Sequence, residues 1–207
     1  MKLKIVLIAA FAIVATAQLL VPLMMISHQA AIALTGKEFI FKIKHNSRGA
    51  SIRGNYIWLQ FEADKFKIED KKDWENSQSV FVTFDKDNLG FAQVKNVTKE
   101  MPLGSKDWVK AKAFLNIRDS TSNKRARARG FINNIDYSYL QLTYPFSNYI
   151  VEDLSMKDLQ RNITKKMNDT LCDITISVKI RENQFLVGDL KLDSLNFKDF
   201  VKGLSSK

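Results

Sequence analysis

The chain changes its hydrophobic pattern once, near residue 36. Before that point it is apolar almost without interruption. After it, apolar and polar residues alternate with the period of two that belongs to half-buried strands. Glu38–Lys44 puts Phe39, Phe41 and Ile43 on one side. Residues 56–63 put Ile57, Leu59, Phe61 and Ala63 on one face and Tyr56, Trp58, Gln60 and Glu62 on the other. Val80–Phe84 and Phe91–Val97 flank the turn-forming Asp85–Gly90 and predict a hairpin. Trp108–Ile117 alternates again, and Tyr137–Tyr144 is stopped by Pro145. Cys172, Ile174, Ile176, Val178 and Ile180 alternate with polar residues, then Arg181-Glu182-Asn183 turns into Phe185–Leu192, a closing hairpin.

Two stretches have helical spacing instead. Ser155–Met167 aligns Met156, Leu159, Ile163 and Met167 on one stripe, with Ser155 as cap and Asp158 three residues on. Ser194 is placed to cap a last short helix carrying Phe197, Phe200, Val201 and Leu204. About nine strands and few helices define a mainly β (α+β) chain. The expected architecture is an N-terminal transmembrane helix followed by an antiparallel β-sandwich or barrel-like domain with one or two short helices. The boundaries read as an anchor over 1–27, a juxtamembrane link over 28–36 and a β-rich domain over 37–207.

The leader decides the setting. Ile5–Ile26 carries no charge, and only Thr16 and Gln18 are polar. At ~1.5 Å per residue it spans about 33 Å, close to a hydrocarbon core of ~30 Å. Ala15-Thr16-Ala17 has the form of a signal-peptide cleavage site. Cleavage there would leave the apolar Leu19–Ile26 near a new terminus, so the segment reads as an uncleaved anchor. Lys2 and Lys4 precede it, and no Lys or Arg follows until Lys37. The positive-inside rule then expects a cytoplasmic N-terminus and a body on the extracytoplasmic side of the cytoplasmic membrane.

Composition narrows the chemistry. An apolar share of 45% with 14 Phe belongs to a folded chain. The net charge is +10, of which Lys2 and Lys4 belong to the anchor flank, and the remaining +8 suits a body lying beside anionic headgroups or an acidic partner. Cys172 is the one cysteine and His28 and His45 are the two histidines, so no disulfide and no ordinary zinc site is expected. No cofactor motif is present. Lys124–Arg129 is the densest basic run, with Arg125, Arg127 and Arg129 on one side if extended. It is the candidate contact for anionic lipid headgroups, beside the commoner reading of such a run as a solvated loop tip. Nucleic acid is not an expected partner, because no groove-reading motif accompanies the charge.

The stretch Arg53-Gly54-Asn55-Tyr56-Ile57-Trp58-Leu59-Gln60-Phe61 opens the folded part, a turn feeding a strand. It resembles the Arg-Gly-Asp-Tyr-x-x-Leu-x-Tyr stretch of the GDYXXLXY family of bacterial membrane-anchored proteins. Arg53, Gly54, Tyr56 and Leu59 match; Asn55 replaces an Asp and Phe61 a Tyr. Tyr149-Ile150-Val151-Glu152 stands where that family has an aromatic-hydrophobic-x-Glu stretch. The resemblance implies no established activity. It does imply an integral membrane partner, with Arg53, Gly54, Asn55, Tyr56, Trp58, Leu59, Phe61 and Glu152 as the motif and interaction residues.

Other readings compete. Asn55–Phe61 is echoed by Asp136–Leu142, though aromatic and Leu positions recur in any β-rich chain. A signal-peptidase-like Ser/Lys hydrolase would use Ser47 or Ser51 as nucleophile and Lys95 as base, but the expected sequence context around the serine is missing. A lipid or ligand carrier would need a deep apolar cavity. The main expectation is therefore a non-enzymatic accessory or interaction module, with no catalytic residue and no metal.

Overall fold

A computed structural model of the chain describes residues 2–44, 50–53, 56–68, 73–118, 137–151, 157–167, 169 and 172–205. The apolar leader forms one helix, α1 (Lys2–Thr35), with Pro22 inside it. The helix does not stop near residue 27. It continues through the expected link to Thr35, and only Gly36 separates it from the first strand. That junction is tight. The Gly36 N–H donates to the Ile32 carbonyl at 2.8 Å. A Cβ on Gly36 would lie 2.5 Å from the same oxygen, which excludes any other residue there without rearrangement.

Twelve strands follow among the described residues: β1 (Lys37–Lys42), β2 (Ala50–Arg53), β3 (Tyr56–Leu59), β4 (Lys65–Ile68), β5 (Gln78–Lys86), β6 (Ala92–Thr98), β7 (Trp108–Arg118), β8 (Tyr137–Thr143), β9 (Asn148–Ile150), β10 (Ile174–Arg181), β11 (Gln184–Leu192) and β12 (Leu195–Asn196). Two further helices are α2 (Lys157–Met167) and α3 (Phe197–Ser205). The strands form three antiparallel sheets, ordered β4-β8-β7-β5-β6, β1-β10-β11-β12 and β2-β3-β9. Single bridges tie β1 to its neighbours, Ile43 to Phe61 and Ile40 to Phe91, and nearly close a barrel. The β10–β11 turn closes another seam. Glu182 and Asn183 have φ of 46° and 65°, as a tight hairpin turn requires. Their N–H groups donate to the carbonyls of Lys106 (2.6 Å) and Trp108 (2.8 Å).

The alternation predicted from sequence is the inside of this barrel. Phe39, Phe41, Ile43, Ile57, Leu59, Phe61, Val80, Val82, Val109, Ala113, Leu140, Ile176 and Val178 are all buried. Aromatic rings form its centre: Phe41 lies 5.3 Å from Phe61, 5.2 Å from Phe84 and 5.2 Å from Phe146, centroid to centroid. Such pairs add ~0.5–1.5 kcal/mol each beyond area burial.

Three expectations need correction. The strand expected over 56–63 ends as β3 at Leu59. Phe61 instead bridges Ile43, and a 3₁₀ turn over Glu62–Asp64 redirects the chain into β4. Ser194 does not cap the last helix. Leu195–Asn196 pairs with β11 as β12, and Asn196 Oδ1 accepts the Lys198 N–H at 3.1 Å. The strand count rises because β2, β4, β9 and β12 are too short to announce themselves by alternation. In α2, Ile163 and Met167 are buried as their stripe predicts, whereas Ser155 and Met156 lie outside the described residues.

Candidate functional site

The motif strand β3 and the later strand β8 belong to different sheets, yet their outward side chains line one cleft. Leu59 and Leu140 point into the core, 1% and 0% exposed. The period of two then sends Trp58 and Gln60, and Tyr139 and Gln141, to the opposite side. All four line a cleft of ≈ 420 Å³, together with Asn116 of β7, Thr143, Ser147, Lys44, Asp64 and Lys65. The sequence echo between residues 55–61 and 136–142 thus has a structural counterpart. Its two copies do not pair with each other, since β3 pairs with β2 and β9 and β8 with β4 and β7. Each contributes an aromatic and a glutamine to the same wet space.

The inner end of the cleft is charged. Lys44 and Asp64 form an ion pair, their side chains 18% and 4% exposed. Burial pushes the Asp64 carboxyl above its ordinary range, while Lys44, Gln141 and Lys65 oppose the shift. Behind it the Tyr144 hydroxyl donates to the Ala63 carbonyl. Burial raises the Tyr144 phenol well above its usual value, and the Asp64 charge adds to this. The Tyr144 and Phe146 rings stack at 5.1 Å. Lys65 places its ammonium 5.2 Å from the centre of the Tyr139 ring. One buried carboxylate is thus held by one lysine at the inner end of the cleft.

The residues picked out in the sequence divide among several places. Leu59 and Phe61 are core. Trp58 lines the cleft. Tyr56 is half-buried, opposite Arg53 of β2 on one side and Ile150 of β9 on the other. Gly54, Asn55, Glu152, Arg125, Arg127 and Arg129 lie outside the described residues, as does Ser47. Ser51 belongs to β2, whereas Lys95 belongs to β6, the edge strand of another sheet. The Lys95 side chain is 65% exposed and meets Asp85 at 3.7 Å, not the buried setting of a general base. Among the described residues no cluster of His, Cys, Asp and Glu could hold a metal ion. Sequence reading missed Lys44, Asp64 and Gln141. The Ile43–Phe61 bridge and the Lys44 N–H bonded to the Gln60 carbonyl at 2.9 Å bring the first two together, and no spacing rule encodes these contacts.

The leader meets the body at a second defined place. Ala10–Thr35 has a mean hydropathy of 2.0 and is long and apolar enough to cross a membrane. At its C-terminus the Lys179 ammonium donates to the Ala33 carbonyl at 2.6 Å. The Arg181 guanidinium donates to the Thr35 hydroxyl. Cations are favourable where unpaired helix carbonyls gather. Ile32 is 6% exposed beneath this contact.

An apolar helix running straight into an antiparallel, nearly closed barrel, with a polar cleft behind its motif strand, defines the class of protein. The profile of the family described as GDYXXLXY protein matches residues 18–186, and the chain belongs to that family. No curated protein and no solved structure matches it.

Proposed function

We propose that the chain is a single-pass membrane protein whose β-rich body works beside the bilayer as an accessory module for an integral membrane partner. The observation that carries this reading is the junction of α1 with the body. An exposed apolar helix passes into β1 through one glycine and is held by Lys179 and Arg181. A body joined in this way keeps a fixed pose relative to the helix, which suits docking on a neighbour in the same membrane. Lys2 and Lys4 at the start of the helix, ahead of its apolar run, favour a cytoplasmic N-terminus and an extracytoplasmic body.

A groove between β9, β11 and α3 supports the partner side of the proposal. It measures ≈ 730 Å³ and is lined by Ile150, Phe185, Val187 and Val201, with Lys198 and Lys202 among them. Ile150 is 78% exposed, opposite motif residue Tyr56. β11 lines the groove and also contacts α1. The partner segment that fits is apolar with acidic side chains, carried by a protein spanning beside α1. The basic run at Arg125, Arg127 and Arg129 takes the role of contacting anionic headgroups, at ~1 kcal/mol per charge near the surface.

Purification in mild detergent from native membranes tests this. The full chain should bring down one integral membrane protein in constant proportion. Ile150→Glu combined with Lys198→Glu should release that partner while the chain stays in the membrane fraction. A wild-type chain that purifies alone, or a partner retained by the double variant, contradicts the proposal.

A further inference from the structure

We infer that two leucine-tipped turns, at Leu89 and Leu103, dip into the leaflet from which α1 emerges and give the body a second hold on the bilayer beside its anchor. The inference rests on the reading of α1 as a membrane span and names the surface by which the body meets lipid.

Geometry leaves the body little room to stand off. Ala10–Thr35 is an apolar stretch of 26 residues, ~39 Å long at ~1.5 Å per residue. That exceeds the ~30 Å hydrocarbon core and nearly fills the ~40–45 Å of core plus headgroups, so Thr35 lies at headgroup level. Only Gly36 separates Thr35 from β1, and two residues of chain span at most ~7 Å. Whatever lies level with Lys37 therefore lies beside the headgroups. Leu34, in the last turn of α1, is 86% exposed, as a lipid-facing side chain is.

Both turns are at that level. The parallel bridge Ile40–Phe91 sets Lys37 beside the β5–β6 turn that carries Leu89. Lys37 Nζ also meets Asp107 Oδ2 at 3.2 Å, at the end of the β6–β7 loop. The Lys106 carbonyl accepts the Glu182 N–H at 2.6 Å, next to the Arg181 that binds Thr35. From Lys106 back to Leu103 the chain spans at most ~11 Å.

Each turn is built to hold a leucine outward. In the first, Asp87 Oδ1 accepts the N–H groups of Leu89 (2.9 Å) and Phe91 (2.8 Å), and Gly90 takes a φ of 85°. Leu89 is 80% exposed. In the second, Pro102 has its φ fixed by its ring and Gly104 takes a φ of 88°. Between them Leu103 is 92% exposed, and Met101 is exposed beside it. Single exposed leucines are ordinary on a soluble surface. Here two rigid turns present them at the end of the body where an apolar helix leaves it. Residues 73–118 are described throughout, so no undescribed segment interrupts either turn.

Charge shows which property of the lipid matters. Asp85 is paired with Lys95 and Asp107 with Lys37. At the tips Lys86, Lys99 and Lys106 then stand against Asp87, Glu100 and Glu182, which is close to neutral. Apolar insertion rather than charge drives such a contact, and it needs no anionic lipid. This separates it from the headgroup role given to Arg125, Arg127 and Arg129.

The test uses the full chain in nanodiscs of phosphatidylcholine alone, with an environment-sensitive fluorophore on Leu89→Cys or Leu103→Cys. The wild-type chain is the labelling blank, since Cys172 is buried. Lys191→Cys is the control, because the register Lys42–Thr175–Lys191 lies at the other end of the sheet from Lys37. Spin-labelled lipid should quench both leucine positions several-fold more than the control, and aqueous iodide several-fold less. A probe on Met101→Cys should lose its lipid quenching when Leu89→Asp and Leu103→Asp are combined. Both leucines are exposed, so these changes leave the core intact. A chain that enters nanodiscs but shows iodide quenching at both positions equal to the control overturns the inference and leaves the anchor standing. Probes shielded from both quenchers, and so covered by protein, overturn it as well. Failure to enter nanodiscs overturns the reading of α1 and the inference with it.

Discussion

The Lys179 ammonium sits 2.6 Å from the carbonyl oxygen of Ala33, so a strand near the end of the chain caps the helix that begins it. Helix ends leave carbonyls without partners, and a cation there contributes ~0.3–1 kcal/mol. The larger consequence is mechanical. With Arg181 bound to Thr35, the helix axis is fixed against the β10–β11 hairpin. Lys179→Met with Arg181→Met should therefore leave the melting temperature of the body nearly unchanged while freeing the junction. Trypsin cleavage at Lys37 in nanodisc-embedded protein should speed up about tenfold, in line with a local opening eased by ~1.4 kcal/mol. Unchanged cleavage would mean that the clamp does not hold.

The Lys44–Asp64 pair makes a different prediction. Removing one partner of a buried ion pair leaves the other uncompensated, at a cost of ~3–5 kcal/mol. Lys44→Met should lose about that much at neutral pH, measured by denaturant unfolding. The sign of the pH dependence follows from the raised Asp64 carboxyl. The folded state binds the proton more tightly than the unfolded chain, so this group's stabilising contribution is present at low pH and lost as pH rises past 3.8 through the folded value. Lys44→Met removes an opposing interaction and pushes that value higher. Its deficit should shrink on acidification. Asp64→Asn should show no such recovery.

Tyr144 gives an alkaline counterpart. Its phenol is 3% exposed, donates to the Ala63 carbonyl and holds its proton far above the ordinary value of 10.0. Unfolding releases that proton more easily, so stability should fall as pH rises above 10.0. Tyr144→Phe leaves the Ala63 oxygen without this donor and should cost about 1–3 kcal/mol at neutral pH. It should also flatten the alkaline limb of the stability curve.

Asp193 works in the opposite direction. Its carboxylate accepts the Asp173 N–H at 2.8 Å and meets Lys166 at 3.4 Å, which holds it below the usual carboxylate range. Its contribution is present above the ordinary value of 3.8 and lost as pH falls through the lowered one. Its φ of 55° makes Asn the cleanest replacement. Asp193→Asn should make acid unfolding between neutral pH and pH ~2 less steep.

These residues also show what the sequence made legible. Period-two alternation placed Phe39, Phe41, Ile57, Leu59, Val80, Val82, Ile176 and Val178 in the core, because burial on one face of a strand leaves that signature in any sheet order. Helical spacing found Ile163 and Met167 for the same reason. Sheet order, barrel closure and the cleft were not legible. They depend on single long-range bridges such as Ile43–Phe61, which impose no local period. The alternation along the motif strand showed Trp58 facing away from the core, yet gave no sign that Lys44 and Asp64 line the same cleft. The echo of residues 55–61 in 136–142 was visible and had an ordinary explanation. Only the folded chain shows that both copies face one space.

The account depends most on α1 staying attached and seated in lipid. Intact-mass measurement of the chain extracted from carbonate-washed membranes tests this directly. The account predicts a polypeptide that retains the whole of α1 and resists the wash. A mature chain beginning at Gln18, recovered in the soluble fraction, would contradict it.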